Sequence, residues 1–293
     1  MKRKQVLQIP SYLALLLLLA TSCKTENISA QKKEATLKTN DVFGTVTETP
    51  RPASDFVNAV GVNIHLRFAT YKGKFDNIIY PRLKELGIKH VRDGVPYKDF
   101  MYPADTTPIR NQFIKLYDSL GIKFTYALDS KLLFDNATLR NSAAYLSIFR
   151  QSTKLRQSIQ TLEGMNEPDL NVYTWDTTPS KTQWAQITYD IQKGLYNGAK
   201  AAPELNTIPI VSTSLTAYWQ GRPAAVAAIT PHISTLFDYA NFHCYDAGSQ
   251  NWKMFPATYY DLSKSMFPQI QQGKPYVITE TGYQNARYYN LPG

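Results

Sequence analysis

Leu162-Glu163-Gly164-Met165-Asn166-Glu167-Pro168-Asp169 closes a short apolar run with an Asn-Glu-Pro triplet. A second glutamate closes a second apolar run far downstream, in Tyr276-Val277-Ile278-Thr279-Glu280-Thr281-Gly282-Tyr283. Short apolar runs bounded by turn residues read as buried strands, so each glutamate sits at a strand's C-terminal tip. Two carboxylates so placed are what acetal hydrolysis requires. One must be protonated to help the leaving group, and the other ionised to attack or to activate water.

Around these two runs, strand-like and helix-like segments alternate. Residues 57–68 contain Val-Gly-Val-Asn-Ile-His, rich in β-branched residues, and read as the first strand. Residues 78–86 show helical spacing and stop at Gly87; 88–92 are strand-like and end in Arg92-Asp93-Gly94. A helix is expected over 107–120, with Ile109, Phe113, Ile114, Leu116 and Tyr117 as its apolar stripe and Gly121 as its stop. The third strand is 122–128, followed by one helix over 137–155 and the fourth strand over 159–166. Downstream come a helix over 183–202 broken at Pro203, a strand over 209–214 and a helix over 224–237. A sixth strand over 239–245, a helix over 257–271 and a seventh strand over 276–281 complete the pattern.

Seven alternating βα units call for parallel strands joined by crossover helices, either as an open doubly wound sheet or as a (β/α)8 barrel. No Gly-rich G-x-G-x-x-G turn follows the first strand, which argues against dinucleotide binding. Ionisable and polar residues gather instead at many strand ends: His65, Arg92-Asp93, Asp129, Asn166-Glu167, His243, Tyr245 and Glu280. Sites drawn from several strand tips are the habit of the barrel. The expected fold is therefore α/β, a (β/α)8 TIM barrel with about seven of eight units. After Glu280 no eighth strand is visible, so the sequence reads as a catalytic domain over 55–293 that is truncated at its C-terminus.

Composition sets the bounds. Hydrophobic residues make up 43% and charged residues 19% of the 293 residues, enough for a sizeable core. Tyrosine, with 20 copies, leads an aromatic content of 13%, which serves either sugar stacking or a tyrosine-rich core. The formal charge of +9 becomes +6 without Lys2, Arg3 and Lys4, and no Lys/Arg block or nucleic-acid motif accompanies it. Nucleic acid is therefore not an expected partner. Cys23 and Cys244 have no metal-ligand spacing, and their settings argue against a bridge.

The first 23 residues read as a signal, with a basic start and an apolar run too short to span a membrane. The run ends in Leu19-Ala20-Thr21-Ser22-Cys23, which resembles the lipobox of bacterial lipoproteins, with Ala20 where leucine is usual. That resemblance implies lipidation of Cys23 and a membrane anchor outside the cytoplasm; the other reading is an ordinary cleaved signal. Residues 24–54 are polar and read as a disordered tether.

Glu163-x-x-Asn166-Glu167-Pro168 together with Thr279-Glu280 resembles the clan A glycoside hydrolases, in their cellulase- and xylosidase-like members. The resemblance runs from about Phe56 to the end and lacks the eighth unit. It implies a retaining enzyme in which Glu167 is the acid/base and Glu280 the nucleophile. It further implies that Asn166 bonds the sugar 2-hydroxyl, that His243 and Tyr245 line the site, and that Arg92 bonds the nucleophile. From the residues alone, Arg92 has an alternative partner in Glu163, and Asp93 reads equally as a turn former. His65 is either a sugar ligand or a structural histidine. Trp219 and Trp252 fall in loops on the catalytic face as candidate stacking platforms, while Trp184 fits a core helix face.

The expected function is hydrolysis of an O-glycosidic bond in a polysaccharide or oligosaccharide, with no metal or cofactor, by a monomer. The rival from another class is a non-catalytic glycan-binding lipoprotein on a degenerate barrel. The carboxylate separation discriminates them, since binding alone has no need of two glutamates about 5 Å apart. Loop composition does not separate cellulose, xylan, mannan, β-1,3-glucan or arabinofuranosides as substrates.

Overall fold

A computed structural model of the chain describes residues 52–71, 73–96, 107–169, 183–215, 233–245 and 273–282. Its frame is a parallel sheet in which β1 (Gly61–Asn63), β2 (His90–Gly94), β3 (Lys123–Asp129), β4 (Ile159–Asn166) and β5 (Ile210–Val211) lie side by side in sequence order. All four pairings are parallel. A parallel bridge from Val211 to Tyr239 leads on to a sixth path, made of β6 (Ala240–Asn241) and β7 (Cys244–Tyr245). A seventh path, β8 (Tyr276–Val277) and β9 (Thr281–Gly282), pairs with it in parallel.

This order never reverses, whereas a doubly wound sheet reverses at its switch point. The sheet also curls. Strands stand about 4.8 Å apart, so the second and seventh positions of a flat sheet would lie about 24 Å from each other. Yet Arg92 of β2 and Glu280, just before β9, touch at 2.7 Å. A sequential parallel sheet bent until distant strand tips meet is the barrel architecture, here with seven strand paths among the described residues. The expected α/β barrel is thus the fold observed.

The strands are short apolar runs because both faces are covered. In β4 every residue from Thr161 to Met165 is buried, including Glu163. Helices pack outside. Phe113 and Leu116 of helix Thr107–Leu120 lie on β3, with ring centroids 5.0 Å from Phe113 to Phe124 and 5.4 Å to Tyr126. Phe149 of helix Ser142–Gln151 closes on Tyr126 at 4.9 Å. Tyr126 bonds Ser158 Oγ at 2.9 Å and Tyr145 donates to the Ile191 carbonyl at 3.2 Å, so these buried hydroxyls are satisfied. Part of the tyrosine content is therefore core. Trp184 is buried too, at the head of helix Trp184–Ala201, whose inward stripe continues through Ile187, Ile191, Leu195 and Ala199. Helices Tyr80–Leu86 and Thr107–Leu120 stop where expected, at Gly87 and Gly121, both left-handed with φ of 64° and 68°.

Two expectations are corrected. Residues 57–68 are not one strand. A helix occupies Ala53–Ala59, and the strand is only Gly61–Asn63. Gly61 pairs with His90, the first residue of β2, so residues before Gly61 have no strand to join. Nor is 137–155 one helix. It is broken into Ala137–Arg140, Ser142–Gln151 and Thr153–Ser158, behind a further helix, Ser130–Asp135. The cause is local. Asp129, Asn136, Asn141 and Ser152 each accept a backbone N–H two or three residues ahead, so each begins a new helix. Most of the helix expected over 224–237, and all of that over 257–271, lie outside the described residues. No described helix is long and apolar enough to cross a membrane.

Candidate active site

Curling brings the strand tips into one charged cluster centred on Arg92. Its Nε and Nη2 donate to the two carboxylate oxygens of Glu163, each at 2.8 Å. Its Nη1 donates to Glu280 Oε2 at 2.7 Å, and Nη2 also reaches Asn166 Oδ1 at 2.6 Å. Both sequence alternatives for Arg92 are therefore realised by one planar guanidinium. Burial opposes its charge, but the carboxylates of Glu163, Glu280 and Glu167 outweigh burial and raise its pKa. An arginine donates only, so Asn166 must turn Oδ1 toward it and Nδ2 away. Ser130 Oγ donates to the Asn166 carbonyl and holds the strand end in place.

Glu167 follows in an uncommon conformation. Its φ is 45°, the one positive value among the described non-glycine residues. A bulky side chain there costs about 1–3 kcal/mol and persists only where its surroundings impose it. Ser214 at the end of the neighbouring strand accepts the Glu167 N–H at 3.0 Å, and Pro168 follows. The side chain then meets His243 Nδ1 at 2.7 Å. On the other side of that ring, Nε2 lies 3.4 Å from Arg92 Nη2 and 3.4 Å from Thr279 Oγ1. A carboxylate only accepts, so with Glu167 ionised His243 directs an Nδ1 proton at it. His243 Nδ1 is also 3.7 Å from Glu280 Oε2.

One ring nitrogen of His243 and one carboxylate oxygen each of Glu167 and Glu280 lie within 4.8 Å of one another. That spacing would suit a cation, but Arg92 already sets a full positive charge against Glu280, and we assign these three groups no metal. Glu167 and Glu280 keep 15% and 18% of their side-chain surface, whereas Glu163 keeps none. The two outer carboxylates can meet a ligand and the inner one cannot.

The remaining candidates are placed as follows. His65 is half-buried at the tip of the first strand and stacks on Phe68 at 4.8 Å. Burial lowers its pKa, Glu280 opposes this, and Arg92 and Arg67 add to it. Tyr245 has its backbone in β7; its side chain lies outside the described residues, as do Trp219, Trp252 and Cys23. Asp93 is more than a turn former. It is buried, and its carboxylate accepts the Leu66 N–H at 2.9 Å and the Gly94 N–H at 2.6 Å, tying the first strand end to the second. Burial pushes its pKa up to about 6, against the pull of Arg67 and of those two N–H groups.

Sequence reasoning assigned no role to Asn241, nor to Thr279 beyond its place beside Glu280, yet the two support His243 from behind. The buried Asn241 donates through Nδ2 to Thr279 Oγ1 at 2.9 Å and accepts the Thr279 N–H at 3.3 Å. Alternation offered a signal, because Asn241 stands two residues before His243 on the same strand path. Arg67, 3.1 Å from Asp129, was missed as well.

No family model matches the sequence, and no curated protein does. Among solved structures the chain is similar to a β-galactosidase from Rahnella sp. R3, with a TM-score of 0.49 and 11% identity over 77% of this chain and 45% of that one. It is also similar to a family 51 α-L-arabinofuranosidase from Bifidobacterium longum, with a TM-score of 0.46 and 13% identity over 81% of this chain and 58% of that one. A glycoside hydrolase family 5 enzyme from Prevotella bryantii B14 aligns with a TM-score of 0.47 and 14% identity over 78% of each chain. The chain spans about half the length of the first two.

Proposed function

We propose that this chain is a retaining glycoside hydrolase that cleaves O-glycosidic bonds of a polysaccharide or oligosaccharide. The observation that carries the reading is the closeness of the two outer carboxylates, with one oxygen of each within 4.8 Å. Retaining enzymes hold their carboxyl groups about 5–5.5 Å apart, and inverting ones about 6.5–9.5 Å apart to admit a water. A protein that only binds glycan gains nothing from two carboxylates at the shorter spacing.

In this mechanism Glu280, ionised beside Arg92, attacks the anomeric carbon. The bond to the leaving oxygen breaks as Glu167 gives that oxygen its proton. Glu167, now a carboxylate held by His243 Nδ1–H, takes a proton from water. The resulting hydroxide-like oxygen attacks the anomeric carbon, and the bond to Glu280 breaks. Two inversions give net retention. Asn166 Nδ2, turned away from Arg92, is the donor for the sugar 2-hydroxyl. His65, Tyr245 and Trp252 complete the sugar contacts. No step needs a metal or cofactor.

The test is turnover of an activated aryl glycoside by Glu280→Gly and Glu167→Ala. Loss of turnover in both supports the reading, and unchanged turnover in either contradicts it. We further propose that the chain works as a monomer outside the cytoplasm, tethered by lipid on Cys23. Cys23→Ala should then move it from the membrane to the soluble fraction.

A further inference from the structure

Glu163 is the one carboxylate of the cluster with no exposed surface. It lies four residues before Glu167 on β4, deeper in the barrel, where ligand does not reach. An ionised carboxylate in such a place costs several kcal/mol unless a partner compensates it. Arg92 does so through two parallel bonds of 2.8 Å. A guanidinium is planar, so fixing its Nε–Nη2 edge on Glu163 also fixes where Nη1 points. It points at Glu280 Oε2, 2.7 Å away.

We propose that Glu163 is a positioning residue for the reaction: it sets the plane of Arg92 so that Nη1 meets the nucleophile, and its charge keeps Arg92 from binding Glu280 too tightly to attack. The proposal rests on the reading of Glu280 as nucleophile. Among the described residues, the titratable and charged neighbours of Glu280 are Arg92, His243 at 3.7 Å, Glu167 and the half-buried His65. Those of Glu163 are Arg92 and His243, whose Nε2 is 4.0 Å away. Asp93 turns its carboxylate to the Leu66 and Gly94 N–H groups, and Arg67 pairs with Asp129. One arginine thus donates to two carboxylates, and removing the inner charge leaves it bearing more strongly on the outer ones, Glu280 first, which it touches.

Two variants separate charge from position, each assayed in the whole chain with the 4-nitrophenyl glycoside that the wild type cleaves fastest from a panel. Glu163→Gln keeps the shape and removes the charge. Glu280 should then stay ionised to lower pH, moving the acid limb of kcat/KM down by about one pH unit. Glu163→Asp keeps the charge but is one methylene short of the guanidinium. Its acid limb should stay in place while kcat falls about 100-fold, with KM little changed. An unmoved limb in Glu163→Gln, or wild-type kcat in Glu163→Asp, overturns the proposal. If Glu163→Gln does not fold, the kcat of Glu163→Asp decides alone. A wild type inactive on the whole panel instead removes the nucleophile assignment on which the proposal stands.

Discussion

Arg92 at the tip of the second strand donates to Glu280 at the tip of the seventh across 2.7 Å. The contact has two consequences. It requires the sheet to curl, because the same pair on a flat sheet would be separated by five strand spacings. It also sets a permanent positive charge against the carboxylate that the proposed reaction needs ionised. Architecture and chemistry therefore depend on the same side chain.

Truncating that side chain should damage both. Arg92→Ala leaves Glu163 buried without its cation, which costs about 3–5 kcal/mol of stability. The double variant Arg92→Met/Glu163→Leu replaces the pair by apolar groups of similar size and should recover most of the loss, but not activity. Denaturant unfolding beside turnover checks this. A double variant no more stable than Arg92→Ala would contradict it.

Asp93 gives a pH signature of folding. Its proton leaves near pH 6 in the folded chain rather than near the ordinary 3.8. Between these values the folded state binds a proton that the unfolded state has released. Stability from this group is therefore complete below pH 3.8 and is lost as pH rises toward 6. Asp93→Asn should remove that slope, so the wild type should lose stability relative to the variant across this window. Unfolding free energies measured at several pH values would show it. A constant difference would contradict it.

Gly164, inside the motif itself, has no room for a side chain. A Cβ there would meet Gln192 Oε1 at 2.1 Å and the backbone nitrogen of Thr213 at 2.7 Å. Gly164→Ala must therefore push β4 away from Gln192 and the Thr213 backbone, at about 1–3 kcal/mol. It should also lower kcat, because Asn166 and Glu167 continue the displaced strand. A variant with wild-type melting temperature and activity would contradict the packing described.

The parts of this molecule legible from sequence are those set by periodicity. The stripe of 107–120 and the apolar run of 159–166 are a helix and a strand with the expected bounds, because packing on both sides leaves such segments one arrangement. Unit counting put Glu167 and Glu280 at the fourth and seventh strand tips, and the barrel brings them together. The helix over 137–155 failed where short polar side chains compete with the helix for backbone N–H groups, which an apolar stripe does not register. The roles of Asn241, Thr279 and Arg67 were hidden for a different reason. They come from contacts across distant strands, and local spacing shows at most which face a residue is on, as it does for Asn241, not what it touches there.

The most direct measurement is mass spectrometry of the chain treated with a 2-deoxy-2-fluoro glycoside carrying a good leaving group. The fluorine slows both displacements and the leaving group restores the first, so a glycosyl-enzyme accumulates. One sugar per chain is expected, on the peptide that contains Glu280, in the wild type and not in Glu280→Gly. A sugar attached to Glu167 or elsewhere, or turnover of the natural bond with inverted product, would contradict it.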